Sequence, residues 1–258
     1  MNAEPSGSPG TLYLVPVPLD LGETQPVALD TVLPLGTLHT AARLRHWVCE
    51  NARSLRAFLH RVDAVVPLQQ PLQSLHVVEL PREWHKKGDH AGNIDAQPLL
   101  QPAREGHDMG LVSEAGMPAI ADPGSSVVRA AHALGVPVVP LVGPVSMMLA
   151  LAASGLHGQN FAFVGYLPRD AGQRVARIRE LEAVAQRTGQ TQLCIETPYR
   201  NLSTWEALVR TLHSDTRLLV ASGLTLPRAC VQCHPVQHWR TYPHSLDADT
   251  PAVFGWGA

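Results

Sequence analysis

The 258-residue chain has little charge and no long apolar run. Its most apolar stretch, residues 136–153, is interrupted by three prolines and a glycine, so no segment reaches the roughly 18 residues that a membrane-spanning helix needs. Charged residues make up 16%, and the formal net charge is −2. An RNA ligand would therefore need a local basic patch, because phosphate contacts dominate affinity for nucleic acid. The sequence predicts a soluble globular protein with no membrane association.

Cysteine is also scarce, with four residues at positions 49, 194, 230 and 233. Such a small and scattered set does not form a disulfide framework, which favours a reducing, cytoplasmic location. Residues 1–10 lack the basic and apolar regions of a secretory signal and are predicted to be a flexible tail.

The segment from Cys230 to His234 matches the haem-attachment pattern C-x-x-C-H, and a redox dithiol or half of a zinc site are the other functional interpretations. Its strand-like context favours a structural role, and we predict no metal site.

Apolar runs alternate with helical patterns along the whole chain, which is typical of an α/β fold. The length allows two domains of about 100 to 150 residues, and we predict one at 11–145 and another at 146–258. The strands predicted in the first domain cover 11–17, 45–50, 75–80, 108–113 and, as a buried strand, 136–142. Those in the second cover 160–166, 191–196, 217–222, 229–234 and 252–256. The predicted helices cover 51–62, 95–105, 145–154, 170–187 and 198–212.

One further helix has the clearest boundary signals. Asp122 suits its N-cap, Pro123 suits its first position, and Gly135 suits the residue after its end.

The segment from Ser113 to Gly124, S-E-A-G-M-P-A-I-A-D-P-G, contains two glycines and two prolines between a strand and this helix. Open α/β sheets bind ligands at such strand ends, although a plain tight connection has the same composition. The turn from Val142 to Ser146 is similar, and its amides and the Ser146 hydroxyl suit a carboxylate or an adenine edge. The G-x-G-x-x-G and P-loop patterns are missing, which argues against nicotinamide and nucleotide triphosphate enzymes.

Four charged side chains are candidates for chemistry beside these loops. Glu50 and Glu114 lie at predicted strand ends, where either carboxylate could accept a proton from a substrate hydroxyl, or could instead be solvated or paired. Arg53 and Arg200 could hold a phosphate or a propionate, and a structural ion pair is the alternative for each.

Five segments, taken in order, resemble the tetrapyrrole methylase superfamily, and within it the branch of 2′-O-ribose methyltransferases that act on ribosomal small-subunit RNA. They are T-L-Y-L-V-P-V-P at 11–18, L-V-S-E-A-G-M-P-A-I-A-D-P-G at 111–124, V-P-V-V-P-L-V-G-P at 136–144, F-V-G-Y-L-P at 163–168 and E-T-P-Y-R at 196–200. The resemblance spans about residues 11 to 230, and the long loop is its most specific part.

The resemblance implies a class III methyltransferase-like fold, in which two α/β domains enclose a cofactor cleft, and a homodimer. The implied cofactor is S-adenosylmethionine. The positions that match the family's cofactor-binding residues are Leu21, Gly116, Met117, Ile120, Val145, Ser146, Glu196, Thr197, Leu224 and Thr225.

The implied function is methylation of a ribosomal RNA 2′-hydroxyl by S-adenosylmethionine. A tetrapyrrole or another small molecule is the alternative acceptor. A non-catalytic paralogue is a third possibility, because residues 19–23 and 50–53 depart from the family's I-G-N-L-G-D and E-D-T-R segments.

Overall fold

The computed structural model describes residues 8–20, 26–81, 83–84, 89, 94–242 and 249–257. It divides into two compact units, the first ending at Pro144 and the second beginning at Val145. Each unit holds its own five-stranded sheet with helices, which confirms the predicted α/β class. The division lies one residue before the expected domain boundary.

The first unit contains a sheet of order β3-β2-β4-β1-β5, in which every pairing is parallel. Its strands are β1 (Leu12–Leu14), β2 (His46–Cys49), β3 (His76–Glu79), β4 (Met109–Val112) and β5 (Val138–Pro140). The helices are α1 (Leu35–Arg43), α2 (Ala52–Asp63), α3 (Gln101–Arg104) and α4 (Ser125–Ala133), with 3₁₀ turns at Leu29–Thr31, Leu72–Ser74 and Gln97–Leu100. Because all strands run the same way, all their carboxyl ends lie at one edge of the sheet.

The central strand β4 is buried at every position, as expected for a parallel sheet covered on both faces. Gly110 lies against the indole of Trp47, and a Cβ there would come within 2.4 Å of the ring. The apolar side chains of α2 recur at helical spacing and are buried in the hydrophobic core of the first unit. They are Leu55, Phe58, Leu59 and Val62.

The strand predicted at 136–142 is present as β5, but its predicted burial is wrong, because among the described strands β5 is at the sheet edge and pairs with β1 alone. Val139 and Pro140 are exposed. Proline lacks an amide hydrogen, so an edge position accommodates it. The sequence predicts no helix at α1, whose buried face consists largely of small side chains around Leu38.

The start of α4 also differs from its prediction. Gly124, not Asp122, is the N-cap residue, and its φ is +137°. The capping carboxylate comes from the distant and buried Asp89, which accepts hydrogen bonds from the amides of Gly124 (2.8 Å) and Ser126 (2.9 Å) and from the Ser126 hydroxyl (2.7 Å). A long-range contact therefore replaces the local cap.

The second unit contains a mixed sheet of order β6-β7-β10-β8-β9. Its strands are β6 (Phe161–Phe163), β7 (Thr191–Glu196), β8 (Arg217–Ser222), β9 (Cys230–Pro235) and β10 (Ala252–Gly257). Its helices are α5 (Ser146–Ser154), α6 (Ala171–Thr188), α7 (Asn201–Thr211) and α8 (Val236–Thr241), and a 3₁₀ turn covers Pro198–Arg200. Strand β6 pairs parallel to β7, whereas β10 runs antiparallel to both β7 and β8.

This arrangement aligns the carboxyl ends of β7 and β8, because both strands run opposite to the strand between them. Ala252, at the start of β10, pairs with Glu196 on one side and Ser222 on the other. The α5 helix packs on one face of the sheet through Met147, Ala150 and Leu151. Residues of α6 and α7 pack with Phe254 and Trp256 in a separate core cluster. In the part of the chain that the structure describes, no helix is long and apolar enough to cross a bilayer.

We expect Asp89→Ala to lower the free energy of unfolding by about 2 kcal/mol, because it removes a buried charged cap with three hydrogen bonds. Burial opposes ionisation of Asp89, but the hydrogen bonds from Ser126 and Gly124 outweigh it and lower the pKa. The stabilisation is therefore present at neutral pH and is lost as pH falls through that lowered pKa. Urea unfolding at several pH values measures both effects.

The matched control is Asp170→Ala, which removes an exposed cap with one hydrogen bond, to the Gln173 amide at 2.8 Å. Asp170→Ala should lower the free energy of unfolding by about 1 kcal/mol. Equal losses in the two variants would contradict the special role of Asp89.

Candidate functional site

The loop from Ser113 to Gly124 leaves the carboxyl end of β4 and is held against the segment that follows β1. The amide of Val17 donates to the Gly116 carbonyl at 2.9 Å, and the amide of Gly116 donates back to the Val17 carbonyl at 3.1 Å. Gly116 is buried with a φ of +72°, and a Cβ there would lie 3.2 Å from Cδ2 of Leu19. The backbone conformation and the limited space thus both favour glycine at this position.

The same loop holds two alanines in the left-handed region, Ala119 at φ +65° and Ala121 at φ +66°. Non-glycine residues adopt this conformation rarely, and such strain concentrates at ligand sites. Met117 follows Gly116 and is half-buried, whereas Ile120 lies between the two alanines and is 42% exposed, so an apolar side chain faces solvent beside the strained backbone. Leu21, the other cofactor residue expected in the first unit, lies outside the described residues.

The two predicted catalytic residues, Glu50 and Glu114, are close together at this edge of the sheet. The amide of Glu114 donates to Oε2 of Glu50 at 3.2 Å, and the hydroxyl of Ser54 donates to Oε1 of Glu114 at 3.1 Å. The side chain of Arg53 is exposed in the first turn of α2, three residues after Glu50.

Sequence analysis missed a third carboxylate, that of Asp122. Burial raises the pKa of Asp122 to about 7, with a further contribution from the charge of Glu50, against a hydrogen bond from Ser113 that lowers it. Glu114 adds a smaller like-charge effect. A carboxyl group that titrates near neutrality suits proton transfer. Its position inside the specific loop is a sequence signal for function, but an Asp before a Pro is equally typical of a helix N-cap.

The cofactor residues expected in the second unit gather at the shared edge of β7 and β8. Glu196 ends β7 and Thr197 follows it, whereas Leu224 and Thr225 follow β8. Val145 and Leu224 pack with the apolar cluster of α5. Ser146 begins α5, and in the described part of the chain no side-chain hydrogen bond caps the amides of this helix end. These amides therefore suit a polar or anionic ligand group.

The carboxylate of Glu196 is buried and fully engaged within the protein. It accepts hydrogen bonds from the amide of Thr197 (2.9 Å) and the hydroxyl of Thr204 (2.9 Å), and it lies 3.0 Å from Nη2 of Arg200. Arg200 also donates to the Leu167 carbonyl at 3.0 Å, and only 13% of its side chain is exposed. Of the two interpretations of Arg200, the structure therefore shows the ion pair.

Thr225 combines two unusual features. Its φ is +72°, although a β-branched side chain strongly disfavours the left-handed region. Its buried Oγ1 has no hydrogen-bond partner among the described residues. A strained backbone together with an unsatisfied buried hydroxyl is expected where a ligand completes the hydrogen bonding.

The Cys230 to His234 segment forms β9, where Cys230 pairs with Ser222 and Cys233 with Leu219. Side chains three residues apart on a strand point to opposite faces, so these thiols do not form a dithiol pair. Burial raises the pKa of Cys233, which packs beside the apolar cluster of α5. The segment is structural. Within the described ranges, no group of three His, Cys, Asp or Glu side chains is arranged to hold a metal ion.

Comparisons with known proteins agree with this architecture. The family described as Tetrapyrrole (Corrin/Porphyrin) Methylases matches residues 35–232. The ribosomal RNA small subunit methyltransferase I of Vibrio cholerae is 29% identical over 245 residues, covering 92% of this chain and 73% of the relative. The protein of the same name from Pseudomonas aeruginosa is 32% identical over 219 residues, covering 84% and 67%.

Among solved structures, uroporphyrin-III-C-methyltransferase from Thermus thermophilus has a similar fold, with a TM-score of 0.51 and 19% identity over 96% of this chain and 92% of that one. The matched family range includes the strained loop, the uncapped end of α5 and the edge formed by β7 and β8. The chain therefore belongs to the tetrapyrrole methylase family and is a methyltransferase, as its motifs predict.

Proposed function

We propose that the chain transfers a methyl group from S-adenosylmethionine to a 2′-hydroxyl of ribosomal RNA. The observation that carries this proposal is the similarity, over most of the chain, to curated ribosomal RNA small subunit methyltransferases I at 29% and 32% identity. An acceptor of this kind would place the enzyme in the cytoplasm. The family resemblance further supports a homodimer.

The described residues fit S-adenosylmethionine in their chemistry. The buried, unsatisfied hydroxyl of Thr225 and the uncapped amides at Ser146 offer polar contacts to a ligand. The backbone of Gly116 permits close approach, with Met117 and Ile120 as apolar neighbours. When bound, S-adenosylmethionine supplies an already activated methyl group. The protein has mainly to orient the two reactants and exclude water.

A hydroxyl acceptor must lose its proton as it is methylated, and we infer that Asp122 accepts it. Asp122 titrates near neutral pH because it is partly buried beside Glu50, so at pH 8 it is ionised yet basic enough to take a proton. Glu50 and Glu114 then act mainly by keeping its pKa high, and they remain the alternative proton acceptors.

The purified protein should bind S-adenosylmethionine, and Gly116→Ala should weaken binding about tenfold. Alanine disfavours the left-handed conformation by roughly 1–2 kcal/mol, so the free loop relaxes out of a conformation that the bound loop has to keep. Isothermal calorimetry measures both affinities. Gly158→Ala is the control, because this glycine is exposed and a Cβ there meets no atom within 4 Å. Absence of binding to the wild-type protein would refute the cofactor assignment.

Incubation with tritiated S-adenosylmethionine should label ribosomal small subunits that lack the modification. The labelled nucleotide should resist alkaline hydrolysis at its 3′ side, since a 2′-O-methyl group blocks attack by the neighbouring oxygen. If the label appears on a tetrapyrrole and the unmodified subunits stay unlabelled, the acceptor is the small-molecule alternative.

Asp122→Asn should lower kcat at least about 100-fold and remove the rise in rate through pH 7, because asparagine cannot accept the proton. The same change should raise the melting temperature at pH 8 and much less at pH 4. In the wild-type protein the folded state keeps the proton on Asp122 up to about pH 7, whereas the unfolded state loses it above about pH 4. The stability of the wild-type protein therefore declines between these two pH values. Above pH 7 the charged carboxylate remains unfavourable in the folded state.

Glu114→Gln tests the alternative acceptor in the same loop. If Glu114→Gln abolishes turnover while Asp122→Asn keeps a normal pH profile, the proton acceptor is Glu114 rather than Asp122.

A further inference from the structure

Two exposed tyrosines lie at the carboxyl edge of the second unit's sheet, beside the candidate site. Tyr166 is 53% exposed and Tyr199 is 75% exposed. Tyrosine side chains normally bury much of their surface in a folded protein. Two exposed tyrosines at one edge of a sheet therefore need a physical reason.

The backbone holds these two tyrosines in the same region. Tyr166 precedes Leu167, whose carbonyl accepts a hydrogen bond from the side chain of Arg200, the residue after Tyr199. The amide of Ile195 donates to the Gly165 carbonyl at 3.1 Å, which continues the alignment of β6 with β7. The turn after β6 therefore runs beside the segment after β7, and each turn presents a tyrosine to solvent.

Positive charge accompanies the tyrosines. Arg169 is exposed three residues after Tyr166, and Nη1 of Arg174 donates to its carbonyl at 3.5 Å. Asp170 is the nearest acid in the sequence, and its carboxylate caps α6 through the Gln173 amide. Across the residues that the structure describes, no carboxylate forms an ion pair with Arg169. We call Tyr166, Arg169, Arg174 and Tyr199 the tyrosine–arginine surface.

This combination suits single-stranded RNA. Nucleobases stack on aromatic rings whatever their sequence, and arginine binds the phosphates between them. The chain as a whole carries a formal charge of −2, so attraction to RNA has to come from a local patch of this kind. Tyr199 lies two residues after Thr197, which places the surface next to the expected cofactor residues.

We propose that the tyrosine–arginine surface binds an unpaired segment of the RNA acceptor, with bases stacked on Tyr166 and Tyr199 and a phosphate held by Arg169. This inference rests on the proposed RNA acceptor and assigns part of its binding site.

A second copy of the chain is the competing occupant. A stable dimer buries about 800 Å² on each partner around an apolar centre. Here Leu202, three residues after Tyr199, is a large apolar side chain that is 57% exposed, whereas Arg169 and Asp170, which follow Tyr166, are exposed and charged. Two amphipathic rings, with an arginine that has no ion-pair partner in the described part of the chain, match a polyanion with aromatic bases better than they match a copy of themselves.

Tyr199→Ala tests the stacking contact, with binding of small subunits lacking the modification measured alongside calorimetry with S-adenosylmethionine. The affinity for subunits should fall about tenfold, whereas cofactor affinity stays unchanged, because one stacked base is lost. Tyr199→Phe should restore binding, since phenylalanine keeps the ring. Tyr242→Ala is the matched control, because Tyr242 is similarly exposed, at 59%, but follows α8.

Arg169→Gln tests the phosphate contact through its salt dependence. Losing one phosphate contact to single-stranded RNA should make the negative slope of log affinity against log salt concentration shallower by about 0.7. Arg187→Gln is the control, because Arg187 is exposed near the other end of α6, roughly 24 Å along the helix axis from Ala171 at 1.5 Å per residue.

The outcomes separate the two proposals. If wild-type protein binds the cofactor and methylates subunits while Tyr199→Ala and Arg169→Gln bind subunits normally, the surface proposal is overturned and the proposed function stands. If Tyr199→Ala converts a dimer into monomers, the surface belongs to the second copy, which also overturns it. If wild-type protein never labels subunits, the proposed function fails and the surface proposal fails with it.

Discussion

The organisation of the first unit depends on the parallel pairing of β4 with β1 on one side and β2 on the other. This pairing brings three chain segments out at one edge of the sheet. The loop after β4 then meets Val17 from the first segment and Glu50 from the second, through backbone and side-chain hydrogen bonds. Any shift in this register would separate the groups that we assign to proton transfer, although they lie far apart in the sequence.

The second unit obtains a similar edge from a different topology. Antiparallel β10 separates β7 from β8, so these two strands run in the same direction without pairing with each other. The chain after each of them turns at this edge, and the turns contain Thr197, Thr225 and the exposed Tyr199. Both units therefore place loops, not strands, where we expect the ligands to bind, and the buried strands provide rigidity.

Backbone strain and energetically unfavourable polar groups are concentrated in the same loops. Ala119, Ala121 and Thr225 occupy the left-handed region, the Thr225 hydroxyl is unsatisfied within the described chain, and Asp122 is partly buried beside another carboxylate. Each feature disfavours the folded state by itself. Their location beside the expected cofactor residues is what a site organised for ligand contact and proton transfer would show.

The sequence alone determined the α/β class, most strands and helices, and the family, because apolar periodicity and the loop from Ser113 to Gly124 are local signals. The tertiary structure decided what depends on distant partners. It showed that Asp89 caps α4, that Arg200 pairs with Glu196, and that β5 lies at a sheet edge. Only three-dimensional packing brings Asp122 close to Glu50, and a pKa depends on such neighbours and on burial, neither of which a linear pattern specifies.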